Sequence, residues 1–476
     1  MKAFLVLLLG SSLSASLVLT GCASKAPESE IAAVAGMAPD SWAASKGARV
    51  GIDTHWVARV GGSEGEKLVR EALAQNPDMR VAAERVKRAE QVAKTEAGGA
   101  NPQISAGIDA ERSKRIFVGF PFGDGGIPSS ISSTHGANLN VSWEPDVWGF
   151  NRAGVEALIA QAQGENQAYR AARASLAGQV LKAWLALGEA NEQIALAQKA
   201  VESRKSTSEV IRDRFEAALG DSGGSAGDLR LSETQLESAR AMLIQRQGEK
   251  EQALRQVEIL LGRYPSGSFV KNGGLPKALS APPAGLPSDL LLRRPDILQA
   301  ERQVASAGRL MKQGKLAFFP SFPLTASGGT TTDALRDILK SDFGVWSLAG
   351  SLSQPIWAGG RLWSEYERLK SDERSALANL QSTVLKAFGE VEQGLVAERF
   401  LAARIAAVEK ALKSAEGAEN QAYDDYAGGT GEVLTILSAQ NSRIELASQL
   451  VTLRRLRLDS RVDFHLALGG DFKVTK

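Results

Sequence analysis

The chain has 476 residues, 43% hydrophobic and 23% charged, which is ample for a buried core and rules out a stapled mini-protein. A net charge of +2 from 56 basic and 54 acidic residues gives no basic footprint, so no nucleic-acid partner is expected. One Cys excludes an intramolecular disulfide, and with only three His little is left for a zinc site, so no metal or cofactor is expected.

The first segment reads as an address. Lys2 precedes an apolar run, Leu5 to Leu9 and then Leu17-Val18-Leu19, and small residues follow, as in a secretory signal. It closes on Leu19-Thr20-Gly21-Cys22, the form of a bacterial lipobox, and Cys22 is the single cysteine. Residues 1–21 are expected to be a lipoprotein signal peptide, with lipid attached at Cys22; an ordinary signal with a chance cysteine, or an uncleaved anchor, is the rival. Ala23 and Ser24 follow, with no Asp to retain the product in the inner membrane. Each buried CH₂ of such a lipid adds ~0.8 kcal/mol of membrane affinity. No later stretch reaches the ~18 apolar residues of a membrane helix, so a mature chain that crosses a membrane must cross as strands.

The rest is one unit written twice. Asn76-Pro77-Asp78 and Arg294-Pro295-Asp296 open similar helical patterns, and Ala82, Val86, Ala89 and Pro102 meet Ala300, Val304, Ala307 and Pro320 at the same offset. Pro145-Asp146-Val147-Trp148 then matches Pro355-Ile356-Trp357, and Leu261-Gly262 matches Leu468-Gly469. An ordered series of this kind implies tandem duplication. The expected division is a lipidated linker at 22–63, a first repeat at 64–262, a linker at 263–293, a second repeat at 294–469 and a tail at 470–476.

Each repeat begins with a helix, over 64–98 in the first, ended by Gly98-Gly99 and Pro102. Period-two segments follow, predicting strands near 103–115, 137–147, 321–332 and 344–355. Ile104, Ala106 and Ile108 alternate with Ser105, Gly107 and Asp109; Leu139, Val141 and Trp143 alternate with Asn138, Asn140 and Ser142. Leu324 and Ala326 alternate with Thr325 and Ser327, and Trp346 and Leu348 flank Ser347. Such strands suit a half-buried sheet or a membrane barrel with a wet lumen. Four cannot close a barrel, and an open edge cannot face lipid, so a barrel needs pooled chains, three of which supply twelve strands. The segment 116–136 is expected to be an extracellular loop.

Residues 151–219 and 361–427 are Pro-free and would each extend ~100 Å as helix at 1.5 Å per residue. They return through 228–262 and 433–468. Ala171, Ala172, Ala174, Ala177 and Gly178 favour close helix packing, as in helices set side by side around a hollow cylinder.

At this point the residues resemble the TolC/OprM-like outer-membrane efflux channels, in their lipoprotein, NodT-type branch. The resemblance rests on Leu290-Leu291-Leu292-Arg293-Arg294-Pro295-Asp296-Ile297, Trp143-Glu144-Pro145-Asp146-Val147-Trp148-Gly149 and Ser353-Gln354-Pro355-Ile356-Trp357, with Tyr426 through Gly429 to Leu434. It implies a mixed α and β membrane protein in the cell outer membrane with a large periplasmic part. A homotrimer would form a twelve-stranded β-barrel continued by a long periplasmic α-helical barrel. It also implies a periplasmic adaptor and an inner-membrane transporter of the resistance-nodulation-division (RND) type as partners, passive conduction of drugs or other small molecules, and no catalysis.

Site residues follow from that resemblance. The adaptor-docking tips are Leu219, Gly220, Asp228 and Leu229 in the first repeat, and Gly428, Gly429, Thr430, Val433 and Leu434 in the second. The first tip departs from the family pattern by a Gly-rich insert of about four residues that falls within 220–227. Pro145 and Pro355 mark strand-to-helix junctions, because Pro ends ladder pairing; Trp148 and Trp357 beside them suit an aromatic girdle or core packing. The family's acidic gate falls on Gly431, Thr435 and Ser438 and so is not carried over; Asp424 and Asp425 are the nearest acidic pair and a candidate periplasmic gate, a solvated helix face being the bland reading. His55, His135 and His465 share no ligand spacing. A type I protein-secretion channel uses the same architecture, and a non-conducting coiled-coil scaffold lipoprotein is the alternative of a different class.

Overall fold

The computed structural model describes residues 24–44, 54–117, 129–218, 225–270, 273–277, 285 and 287–472. Cys22, Leu219, Gly220 and most of the expected extracellular loop lie outside them. The chain divides into two compact units that do not coincide with the two repeats.

One unit holds residues 1–30, 86–165 and 300–379, and within it the four strands. These are β1 (Gln103–Ile116), β2 (Ser129–Trp143), β3 (Leu324–Thr332) and β4 (Gly344–Gly350), in one antiparallel sheet of order β1-β2-β3-β4. β2 begins well before 137. Its added residues, Ser129 to Gly136, are small or polar apart from Ile131 and lack alternation, but they pair fully with Asp109 to Ile116. Backbone pairing with an adjacent strand therefore makes strand where side-chain pattern is silent, and the expected loop is shortened accordingly. β2 also stops at Trp143, so 144–147 are not strand. β3 and β4 are shorter than expected because Pro323, whose carbonyl accepts the Ser351 N–H at 3.1 Å, has no N–H of its own to continue the ladder. Pairing resumes beyond Pro323 only as a bridge between Ser321 and Ser353.

The other unit holds residues 31–85, 166–299 and 380–476. A short turn of helix, α1 (Ala32–Ala35), precedes α2 (Trp56–Gln75) and α3 (Pro77–Gly99). The single helix expected over 64–98 is thus two, beginning earlier. Asn76 takes an extended conformation (ψ 127°), as residues before proline do, and this separates them. Trp56, Val57 and Val60 lie in the expected linker yet are buried in the core.

The long helices fall close to expectation: α4 (Phe150–Ala218), α5 (Ala226–Leu260), α8 (Arg361–Gly428) and α9 (Val433–Ala467). Between repeats comes α6 (Pro287–Arg293), and α7 (Pro295–Leu316) opens the second repeat. The core packs Val69 and Ala72 of α2 against Leu181 and Leu185 of α4, Val257 of α5 and Val462 of α9. Each fully buried Leu there contributes about 2–5 kcal/mol by the cost of truncation.

Phe269 and Leu275 of the inter-repeat linker pack on this core. Glu258, 1% exposed, accepts the backbone N–H groups of Gly267 (2.7 Å), Ser268 (2.8 Å) and Phe269 (3.0 Å). The Gly267 amide first, and the others with it, hold the Glu258 carboxyl below the usual carboxylate range.

Candidate functional site: the strand wall and the helical tips

Register sets the two faces of the sheet. Ile104 pairs with Val141, Val141 with Ala326 and Ala326 with Leu348; one step along, Ala106, Leu139, Gly328 and Trp346 align. This face is apolar, and its large members are exposed: Ile104 68%, Ile108 80%, Trp346 83%, Leu348 76%. A soluble sheet would cover it. The opposite face aligns Ser105, Asn140, Ser327 and Ser347. Its polar groups bond one another: Asn138 Nδ2 donates to Asp109 at 2.7 Å, Asn140 Nδ2 to Asn138 at 2.9 Å, and the Ser327 and Ser347 hydroxyls meet at 2.8 Å. At Gly329 a Cβ would stand 2.1 Å from the Ala137 carbonyl oxygen, so only glycine lets β2 and β3 approach there.

Below the strands, Asp146 caps α4 by accepting the N–H groups of Asn151 (3.1 Å) and Arg152 (2.7 Å). Pro145 lies between β2 and that cap, whereas Pro355 lies past β4 in an irregular stretch. Trp148 donates its indole N–H to the Pro320 carbonyl at 2.8 Å and packs on Phe319 at 5.3 Å. Trp357 is 85% exposed. Trp148 is thus anchored at its polar end and Trp357 stands free.

At the second tip, Gly429 turns the chain with φ 89°, and the Asp425 carbonyl accepts the N–H groups of Thr430 (2.9 Å) and Gly431 (3.0 Å). Ile211, Tyr426, Val433, Ile436 and Leu437 form a buried cluster with Leu229 against it, so residues from both repeats meet here. Val433 is therefore core, while Leu434 is exposed. Asp228 sits in the first turn of α5, which starts at Ala226, so the end of the Gly-rich segment, Ala226 and Gly227, is helical. Arg214 was not singled out from sequence. It donates to the Ala427 carbonyl at 3.0 Å and lies over the Tyr426 ring at 4.3 Å, a cation at the end of α8 where the helix dipole favours one. Asp424 and Asp425 are both exposed, and Asp425 accepts from Gln421 at 2.7 Å.

The motif around Arg294 has a structural explanation. Its guanidinium forks onto Asp296 (3.0 and 2.7 Å) and reaches Glu390 on α8 (2.7 Å) and the Ala467 carbonyl ending α9 (2.9 Å). Burial works against its charge, but Asp296 and then Glu390 outweigh it and raise its pKa above the ordinary arginine value. Asn76 occupies the same place in the first repeat: its Nδ2 donates to the Leu260 carbonyl ending α5 at 2.9 Å.

Farther along, Glu398 clasps α8 to α9 through Arg461 (2.7 Å) and Arg457 (2.6 Å). Burial raises its pKa, but the bonds from Arg461 and then Arg457 prevail and lower it. Asp459 is the opposite case. Burial pushes its carboxyl up to about 6 despite Arg455 and Lys182.

A sheet with one wet face, one bare apolar face and two edge strands has the wall chemistry of a membrane channel. Residues 68–263 and 286–470 match the outer membrane efflux protein family, and the chain belongs to that family. It is similar to the toluene efflux pump outer membrane protein TtgF of Pseudomonas putida, 27% identical over 85% of this chain and 82% of that one. It is also similar to the probable outer membrane lipoprotein SilC of Salmonella typhimurium, 26% identical over 96% and 98%. Among solved structures, the open state of the Neisseria gonorrhoeae MtrE outer membrane channel superposes with a TM-score of 0.77, at 25% identity over 94% of this chain and 97% of that one. The protein is an outer-membrane efflux channel component with a mixed α and β fold built on an internal duplication.

Proposed function

We propose that three copies pool their sheets into a closed twelve-stranded barrel, continued in the periplasm by a tunnel of long helices. The observation that carries this is the sheet itself. β1 and β4 are edges among the described strands, and the apolar face is bare. An open edge in lipid leaves N–H and C=O groups unsatisfied, each at a cost of several kcal/mol, so the sheet must close on further copies. Lipid on Cys22 adds an anchor. The tips, with Leu434 exposed beside the Gly429 turn, dock a periplasmic adaptor, which links the channel to an RND-type transporter. Small molecules delivered by that pump pass along the lumen lined by the wet face of the wall, and the driving energy is the pump's. Asp424 and Asp425 stand at the tunnel mouth as the acidic pair of a gate. The test is mass in detergent together with single-channel conductance in a planar bilayer. Conducting trimers are expected; monomers that never conduct would refute the pooled barrel.

A further inference from the structure

The pleat of β1 sorts its charges. Asp109 and Glu111 lie on the wet face with Ser105, and Arg112 and Lys114 lie on the apolar face with Ile104 and Ile108. Arg112 follows Ile108 by four residues, about 14 Å along the strand. Both cations are exposed, and neither has an ion pair among the described residues. The nearest acids on the strand point the other way. Arg112 and Lys114 pair with Ser133 and Ile131 of β2, which offer no charge. This end of the hairpin is remote from Gly99 and Phe150, where the helices join, and so faces outward on the barrel reading.

On the basis of that reading, we infer that Arg112 and Lys114 bind the anionic, phosphate-bearing headgroup of an outer-leaflet lipid, whose acyl chains cover Ile104, Ile108 and Leu348. The occupant follows from continuity and charge. A cation pair directly above a lipid-covered apolar band meets headgroups, and the guanidinium fork matches a phosphate in two bonds. A soluble partner would leave the apolar band bare, and free phosphate would not use it.

The test uses the full chain reconstituted in phosphatidylcholine vesicles containing lipid A, or lipid A stripped of its phosphates. Lipid retained per chain after mild detergent extraction is counted by native mass spectrometry. Wild type is expected to retain lipid A over the stripped form. Arg112→Gln with Lys114→Gln should lose retention on the order of thirtyfold, from about one kcal/mol per basic residue. Arg112→Lys, which keeps the charge, should lose less. Arg115→Gln, one residue on but on the opposite face, should retain lipid A as wild type does. Retention unchanged in the double variant, or lost equally in Arg115→Gln, overturns the site. So does displacement of lipid A by inorganic phosphate alone. Conductance of the same preparations separates the two readings: a conducting double variant without lipid preference supports the site, and a wild type that neither inserts nor conducts overturns the barrel and the site together.

Discussion

Arg294→Met tests whether one buried cation joins α7, α8 and α9. The Ala467 carbonyl loses its Arg294 partner in a buried setting, a cost of about 1–3 kcal/mol. Asp296 and Glu390 are about half exposed, at 43% and 54%, and rehydrate when abandoned. Those two pairs therefore add only about 0–1 kcal/mol each. Met refills the volume of the aliphatic stem, so little cavity is left. The expected loss is about 2–4 kcal/mol, with Arg294→Lys falling between because an ammonium cannot fork onto Asp296 while reaching Glu390 and Ala467. Guanidinium unfolding of the detergent-solubilised protein, followed by tryptophan emission, reads it, since Trp56 and Trp184 sit in the adjoining core. Asn76→Ala removes the equivalent bond in the first repeat and also the Oδ1 that accepts the Asp78 N–H at 2.8 Å, so it should cost about 2–4 kcal/mol. A loss below about 0.5 kcal/mol for Arg294→Met, with Asn76→Ala behaving as stated, would refute the clamp.

Asp459, with its carboxyl at about 6, is raised above its unfolded value, so stability should fall as pH rises from about 4 through 6; Asp459→Asn should remove that slope and stabilise at pH 7 by no more than about 2 kcal/mol. Glu258 and Glu398 have the reverse sign: their depressed values predict stability that is present above the unfolded carboxylate range and lost as pH falls through the folded values, so Glu258→Gln and Glu398→Gln should flatten the acid limb of the unfolding profile. Gly429→Ala forces a Cβ into φ 89° and should cost about 1–2 kcal/mol locally, read as faster amide exchange at Thr430 and Gly431 and weaker adaptor binding; unchanged exchange there would count against the turn. Asp109→Asn should lower the cation preference of the open channel, measured as a shift in reversal potential under a salt gradient, and no shift would place Asp109 away from the pore.

How far the sequence could be read depended on which physical signal each residue carries. The four strands were visible because Ile104 to Asp109 and Leu139 to Ser142 alternate with period two, and alternation is what a two-sided wall requires. Ser129 to Gly136 lacked that signal, since its strand character comes from backbone pairing with a neighbour that the local pattern does not specify. The long helices were legible from composition, but the break at Asn76 turns on one residue before a proline, and there the continuous helical pattern overrode the cue. The site residues divide along the same line. Gly429 announces its turn by being glycine, whereas Arg214 looks like any of the cations on α4 until Tyr426 and the Ala427 carbonyl are brought against it. Arg294 stood out in sequence without a reason. Its reason is long-range: it closes α9, whose end lies far away in sequence, and Asn76 closes α5 in the same way. The duplicated sequence therefore preserves a duplicated job, a side-chain N–H from the residue before Pro-Asp on the last carbonyl of each returning helix, and it has solved that job once with a charged fork and once with a neutral amide. The clamp is required by the fold, and the charge is a local choice at the second copy.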